Sequence, residues 1–100
     1  MIRRDIITLI SEDPEAHGIF EQHTRKEHRV FCEVRSVSRN EAYQAMSNGL
    51  QPQFVFVLSD VAEYGGEKLV LYGATYYRVV RTYVDRQKVE LTVEEATVDA

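Results

Sequence analysis

The chain has 100 residues, of which 44% are hydrophobic and 28% charged, with 12 basic against 16 acidic side chains and a formal net charge of −4. This length predicts one small domain with one core. The acidic balance weighs against a general nucleic-acid binder, because such proteins neutralise phosphates with an excess of Lys and Arg. Ordinary apolar content with only five Gly and two Pro argues against a disordered chain.

The single cysteine, Cys32, excludes an intramolecular disulfide and a cysteine-rich zinc site, and it indicates a reducing compartment. The apolar run at residues 6–10 is too short for the core of a signal peptide or for a membrane span. We therefore expect a soluble protein that makes no membrane contact.

Val, Ile, Thr, Tyr and Phe dominate the apolar positions, and these residue types favour β-strands. The first predicted element is a short strand at residues 6–10. A long exposed loop is predicted at residues 11–27, where polar side chains follow neither the strand nor the helix period. A second strand is predicted at residues 28–37, because apolar and charged side chains alternate there.

One helix is predicted at residues 39–48, directly after the second strand. Ser38 and Glu41 fit a capping box at its start. Gly49 is placed for a left-handed C-cap, and Pro52 prevents the helix from continuing. A helix of this length is not stable alone, so we expect it to pack on the sheet or on a partner.

The second half of the chain predicts short strands separated by tight turns. The predicted segments are strands at residues 53–59, 61–64, 68–72, 75–84 and 88–93, a hairpin-type turn at Gly65-Gly66, turns at Gly73 and residues 85–87, and a frayed end at residues 95–100. Residues 1–100 are thus predicted to form a single, mainly β domain. The expected fold is a small antiparallel β-barrel or rolled sheet of five to six strands with one short helix inserted after the second strand.

Strand alternation also predicts which side chains share the buried face. The predicted core consists of Val30, Cys32, Val34, Phe54, Phe56, Leu71, Tyr77, Val79, Val89 and Leu91. Tyr83 is predicted to share a face with Tyr77, whereas Thr92 and Glu94 are predicted to point outward. Phe31 lies on the polar face of the second strand, which predicts that part of this face is also covered.

The candidates for catalysis or metal binding are few. His17, His23 and His28 stand among carboxylates, but their spacing matches no compact ligand motif, so we interpret them as solvated side chains. Cys32 alternates with valines, which indicates a buried, inert thiol. The sequence contains no Gly-rich phosphate loop and no nucleophile elbow. We therefore predict no enzymatic activity, no cofactor and no metal.

An alternative of another class is an OB-like module that binds single-stranded nucleic acid. Tyr76, Tyr77 and Tyr83, with Arg78 and Arg81, have the residue types of a base-stacking platform. In a strand, however, Tyr77 and Tyr83 share one face while Tyr76 and Arg78 share the other. We therefore favour a core face and a solvated face.

Several segments from the second strand onward carry a resemblance to a known family. They are Arg-Val-Phe-Cys-Glu-Val-Arg-Ser-Val at residues 29–37, Glu41-Ala42, Gly-Leu-Gln-Pro at 49–52 before Phe54, Tyr-Gly-Gly-Glu at 64–67, Val-Leu-Tyr-Gly at 70–73, Tyr-Arg-Val-Val-Arg-Thr-Tyr at 77–83 and Val-Glu-Leu at 89–91. Together they resemble the head–tail joining (head closure, or connector) proteins of tailed bacteriophages. The most specific parts are Gly73 followed by Tyr77, and Arg81-Thr82-Tyr83 followed by Glu90-Leu91. Many family members have a Trp near the start of the second strand, where this chain has Phe31.

The resemblance implies a structural virion protein, encoded by a phage or a prophage. Such proteins form a ring beneath the portal and adaptor, close the filled head and present the surface to which the tail attaches. The implied partners are the portal or adaptor protein, tail proteins and further copies of the chain, with no sequence-specific nucleic-acid or membrane binding. The implied location is the virion neck, after assembly in the bacterial cytoplasm. A tail-side joining or completion protein is the alternative within phage assembly.

Exposed loops and the helix surface are the candidate assembly interface. The predicted interface residues are Ile19, Phe20, Arg25 and Lys26 in the long loop, Arg39, Tyr43 and Gln44 on the helix, and Glu63, Tyr64, Gly65, Gly66 and Glu67 at the hairpin tip. Ile19 and Phe20 are the expected anchor, because adjacent apolar residues in a charged loop need a partner. Polar contacts of this kind are weak singly and become strong when repeated around a ring on a platform. We therefore expect a monomer in dilute solution.

Overall fold

The computed structural model describes residues 3–12 and 25–96. Within these ranges the chain forms six strands, one α-helix and one short 3-10 turn. In chain order they are β1 (Arg3–Glu12), β2 (Arg25–Ser36), α1 (Arg39–Met46), β3 (Pro52–Leu58), the 3-10 turn (Val61–Glu63), β4 (Leu69–Tyr72), β5 (Thr75–Asp85) and β6 (Lys88–Glu95).

The six strands close into one antiparallel barrel in the order β1-β2-β3-β6-β5-β4. The barrel consists of two three-stranded meanders, β1-β2-β3 and β4-β5-β6. These meanders join where β3 pairs with β6 and where β4 pairs with β1. The predicted fold class is therefore confirmed: the protein is mainly β, with a closed six-stranded antiparallel barrel and one short helix after the second strand.

Side chains that point into the barrel are almost completely excluded from solvent. The core cluster consists of Ile7, Leu9, Val30, Cys32, Phe56, Leu58, Val70, Tyr77, Val89, Leu91 and Val93. Aromatic rings fill its centre: the Phe56 ring meets Tyr72 and Tyr77 edge-on, with centroids 5.3 and 6.2 Å apart. Edge-on packing adds to the gain from burying these large apolar surfaces.

Most of the predicted core is confirmed. Its buried members are Val30, Cys32, Phe56, Tyr77, Val89 and Leu91, and its partly buried members are Val34, Phe54 and Val79. Leu71 was assigned to the wrong face, because β4 is aligned so that Val70 lies opposite Leu9 inside the barrel. Strand alternation then turns Leu71 outward.

A bulge in β5 changes which of its side chains point inward. The register against β6 shifts between Val79 and Arg81, so Val80 is an extra residue in the strand. One extra residue reverses the alternation beyond it. Tyr83 consequently does not share the face of Tyr77, as was predicted, and is 54% exposed.

The loop predicted at residues 11–27 is partly strand. β1 continues to Glu12 and β2 begins at Arg25, and these two residues are the last partners of a continuous antiparallel pair. Both strands extend beyond the apolar residues 6–10 from which β1 was predicted. Pairing between strands depends on main-chain hydrogen bonds, and these do not require a buried side chain at every position. Residues 13–24, the rest of the predicted loop, lie outside the described residues.

The helix has the predicted caps but is shorter than predicted. It spans Arg39–Met46 rather than residues 39–48. The amide N–H of Glu41 donates to Oγ of Ser38 at 3.2 Å, as expected for a capping box. Gly49 has φ +78°, the left-handed conformation expected after a helix C-terminus.

The segment after β3 is a 3-10 turn rather than the strand predicted at residues 61–64. The Asp60 carboxylate accepts a hydrogen bond from the amide of Ala62 at 2.9 Å, which stabilises the start of this turn. Gly65-Gly66 therefore links the turn to β4 and is not the tip of a hairpin between paired strands.

The end predicted to be frayed, at residues 95–100, begins inside a strand. Glu95 is the last residue of β6. The amide of Ala96 donates to the carbonyl of Tyr76 at 2.9 Å, which extends the contact with β5 by one residue. Residues 97–100 lie outside the described part of the chain.

Candidate assembly surfaces

The outer face of β6 is covered by the segment that joins α1 to β3. Thr92 and Glu94 point away from the barrel, as predicted, yet they are only 7% and 8% exposed. Oε2 of Glu94 accepts a hydrogen bond from the amide of Gln51 at 3.0 Å, and Oε1 accepts one from the guanidinium of Arg78. One carboxylate thus connects the segment before β3 with β5.

A second carboxylate connects the helix to the same wall. Oε1 of Glu41 lies 3.6 Å from the guanidinium of Arg81 and accepts a hydrogen bond from the Thr92 hydroxyl at 3.4 Å. A cleft of about 220 Å³ lies beside this contact, lined by residues of α1 and by Val80 of the β5 bulge. The helix is therefore held against the barrel by polar contacts, and none of its own residues is buried.

These contacts shift the titration of Glu94. The hydrogen bond from the Gln51 amide, followed by that from Arg78, holds the pKa of the Glu94 carboxyl below its ordinary value of 4.5. Both donors favour the ionised form. A carboxylate whose pKa is lowered by folding stabilises the fold above its unfolded-state pKa and loses that contribution as the pH falls through its folded-state pKa.

We expect Glu94→Gln to lower the free energy of unfolding at neutral pH by about 1–3 kcal/mol, the range for a hydrogen bond to a charged group. Because the variant has no carboxylate at this position to protonate, its deficit should shrink as the pH falls below 4.5. Urea unfolding followed by circular dichroism across this range measures the difference. Glu95→Gln, the same change at the exposed neighbouring residue, serves as the control. Equal losses in the two variants, or a deficit that does not depend on pH, would contradict this account.

The opposite wall, formed by β1, β2 and the end of β3, carries an exposed aromatic ring. Phe31 is 74% exposed and lies opposite Ile6, which is 36% exposed. Beside Phe31 is a groove of about 310 Å³, to which Arg4, Glu33 and Lys88 contribute. Phe31 and Ile6 thus form a small exposed apolar patch among charged side chains, which makes this wall a candidate contact surface.

Charges around this groove are predominantly positive. The Glu33 carboxylate accepts a hydrogen bond from Nε of Arg35 at 2.7 Å. That bond is the largest cause of the lowered pKa of Glu33, and the nearby charges of Lys88 and Arg4 lower the pKa further. The positive charges of Arg4 and Lys88 therefore stabilise the ionised form of the Glu33 carboxylate in this groove.

The predicted interface residues lie at separate places on the barrel. Arg39, Tyr43 and Gln44 are exposed on α1, with Tyr43 65% exposed, whereas Lys26 is exposed on β2. Arg25 is the first residue of β2, and Ile19 and Phe20 lie outside the described residues. The structure does not bring the helix residues and Lys26 into one patch.

The predicted hairpin-tip group is divided between solvent and structural contacts. Glu63, Gly65 and Gly66 are exposed. Tyr64 instead packs against the core, and its hydroxyl donates to the carbonyl of Glu67 at 2.7 Å. Oε1 of Glu67 accepts from the amide of Gly65 at 2.9 Å. Two members of the group thus serve to hold the loop in place.

Sequence reasoning did not identify the Phe31 groove or the Glu94 contacts. Phe31 on the polar face of its strand led to the prediction that this face is covered, which is wrong, because the ring is exposed. No signal in the sequence indicated the Glu94 contacts, because Gln51 and Arg78, which donate to its carboxylate, are far from it along the chain. Arg4 and Lys88 likewise meet Phe31 only when the barrel closes.

The two arginines of the predicted stacking platform face carboxylates. Arg78 pairs with Glu94, and Arg81 lies beside Glu41. Tyr77 is 7% exposed inside the barrel and is thus removed from that surface. A base-stacking surface on β5 would need exposed rings and cations available to phosphates.

Other reactive side chains have ordinary surroundings. Burial, with a smaller contribution from the Asp5 charge, raises the pKa of the Cys32 thiol to about 12, which disfavours the nucleophilic thiolate. Across residues 3–12 and 25–96, no group of three or more His, Cys, Asp and Glu side chains could hold a metal ion. His28 is exposed in β2, whereas His17 and His23 lie outside these ranges.

None of the helices in the described part of the chain has the length and apolar character needed to cross a membrane.

Comparison with known proteins leaves the family of this chain open. No protein-family model matches it, and no curated protein shows significant similarity to it. The resemblance to head–tail joining proteins therefore rests on the segments described above and stays a prediction.

Proposed function

We propose that this protein is a structural component of the neck of a tailed bacteriophage, where it forms a ring between the portal or adaptor and the tail. The ring closes the filled head and provides the surface for tail attachment. One observation carries the proposal. The most specific resembling segments are neighbours in the barrel, with Tyr83 opposite Glu90 and Thr82 opposite Leu91. Segments that are separate along the chain thus belong to one structural unit.

The other specific part of the resemblance also has a structural role. Gly73 has φ +62° in the turn between β4 and β5, a conformation that side chains with a Cβ rarely adopt. Four residues later, Tyr77 enters the core beside Phe54 and Phe56. The spacing between Gly73 and Tyr77 therefore places a tight turn and a core ring where the barrel requires them.

The acidic balance of the chain and the pairing of the β5 arginines weigh against a base-stacking surface on β5, which the OB-like alternative requires. The net charge is −4, and the cations Arg78 and Arg81 face carboxylates. Phosphate binding depends on cations that are free to replace counterions. These features support a structural neck component over the OB-like nucleic-acid module.

The direct test is deletion of the gene in the phage or prophage that encodes it, followed by induction and electron microscopy of the lysate. We expect free tails together with heads that have lost their DNA, and tailed particles restored by a plasmid copy of the gene. A normal yield of tailed, infective particles would overturn the proposal. DNA-filled heads accompanied by malformed tails would instead place the protein on the tail side of the neck.

The nucleic-acid alternative has its own test. A gel-shift titration of the purified protein with single-stranded DNA at low salt should show no retained complex. Tight binding that weakens as salt is raised would favour the OB-like module over the neck protein.

A further inference from the structure

Among the described residues, one edge of β2 has no strand partner over much of its length. β2 pairs with β1 along both strands, but its pairing with β3 covers only residues 33–36. Along residues 25–32, the opposite edge of β2 has no strand partner among the described residues. Side chains at residues 26–29 are all exposed. Such an edge presents main-chain N–H and C=O groups that another extended segment can pair with.

The Phe31 groove adjoins this free edge at the point where β3 ends. Its lining residues come from four strands and from the residue that follows β3: Arg4, Phe31, Cys32, Glu33, Val57, Ser59 and Lys88. The Phe31 ring, 74% exposed, supplies its apolar contact area. A strand added to β2 would thus lie against an apolar anchor as well as a hydrogen-bonding edge.

Charge on this wall has the opposite sign to the net charge of the protein. Arg4, Arg29 and Lys88 are exposed on the outer face, whereas the Glu33 carboxylate on that face is already engaged by Arg35. Glu27 is the exposed carboxylate within the free stretch. An anionic ligand therefore matches the wall better than a cationic one.

We propose that the free edge of β2 and the Phe31 groove bind an extended acidic segment of a partner protein. The segment pairs its main chain with residues 25–32, packs an apolar side chain on Phe31 and directs carboxylates toward Arg4, Arg29 and Lys88. This inference does not depend on the proposed neck function, since it rests on the edge, the groove and their charge.

A peptide suits this site better than either a second copy of the chain or a nucleic acid. A second copy would bring a wall with the same excess of positive charge beside the first, whereas an acidic peptide brings the opposite charge. Nucleic acid has no strand with which to use the free main-chain groups. Phe31 is a single ring, whereas binding of single strands relies on stacking of successive bases.

The test is a titration of the ¹⁵N-labelled protein, followed by NMR, with a blocked peptide that matches the free edge in length and carries Glu, Val and Glu in turn along one face, with Thr at the positions between them (the Glu–Val peptide). We expect amide shifts concentrated in β2 between residues 25 and 32. The same peptide with Lys in place of Glu, and the Glu–Val peptide N-methylated at alternate residues, should each bind about tenfold more weakly or worse, a difference of roughly 1.4 kcal/mol. The first control tests the charge, and the second tests main-chain pairing.

Two variants locate the site. Phe31→Ser and Lys88→Glu should each weaken binding of the Glu–Val peptide about tenfold. Both residues are exposed, so the folded spectrum should be retained. Tyr43→Ser removes an exposed aromatic ring from α1, on the other wall of the barrel, and should leave the affinity unchanged.

Three results would overturn the proposal. They are absence of binding up to about 1 mM peptide, equal affinity for the acidic and basic peptides, and shifts centred on α1 rather than β2. An oligothymidylate serves as the second anionic probe. Binding of the oligothymidylate without binding of the acidic peptide would assign the surface to nucleic acid and would also overturn the proposal.

Discussion

Replacing Phe56 with Ala is expected to lower the free energy of unfolding by about 3–5 kcal/mol. The Phe56 side chain is completely buried, and its ring packs against Phe54, Tyr72 and Tyr77 with centroid distances of 6.0, 5.3 and 6.2 Å. Truncation leaves a cavity at the centre of the barrel that these rings cannot fill without leaving their own positions. For a domain with a total stability of about 5–15 kcal/mol, this loss is large.

Urea denaturation followed by circular dichroism measures the loss, and the chain provides a matched control. Phe31→Ala is the same chemical change at a side chain that is 74% exposed. Its effect should stay within about 0.5 kcal/mol of zero, the usual range for surface substitutions. Similar losses in the two variants would mean that burial does not distinguish these phenylalanines and that the described core is wrong.

Leu91→Ala is expected to lower the free energy of unfolding by about 2–5 kcal/mol. Leu91 is completely buried in β6 and lies directly opposite Phe56 in β3. Leu71→Ala is the matched control, because Leu71 points outward from β4 and is only partly buried. We expect a clearly smaller loss for Leu71. A loss below about 1 kcal/mol for Leu91 would contradict the register of β6 against β3.

The two core substitutions should also be coupled. Phe56 and Leu91 share one region of the core, so the second truncation enlarges a cavity that the first has already opened. The double variant should therefore lose less stability than the sum of the single losses, by about 0.5 kcal/mol or more. Strict additivity would mean that the two side chains do not contact the same part of the core.

Local sequence patterns predicted most of the elements of this fold, although not all of their ends and not the 3-10 turn at Val61–Glu63. Alternation of apolar and polar residues identified most strands, because side chains of a strand point alternately to its two faces. The Ser38–Glu41 capping box and Gly49 identified the helix, since both act within one turn of chain. The fold class followed from the number of strands and the length of the turns.

The surfaces were predicted less completely. The exposure of Tyr43 on the helix follows from a local polar pattern. The Phe31 groove was not predicted, because Arg4 and Lys88 reach it from opposite ends of the chain. The free edge of β2 likewise depends on where β3 ends relative to its neighbour, and no pattern within β2 reports that.

The sequence by itself thus determined most of the secondary structure, the fold class and most of the core. Only the tertiary structure decided the inward placement of Val70, the bulge at Val80 and the burial of Glu94. The physical reason is that strand register is a property of paired strands. A shift of one residue exchanges the buried and exposed faces while leaving the alternation in the sequence unchanged. Glu94 is buried because closure of the barrel brings Gln51 and Arg78 to its carboxylate from two other parts of the chain.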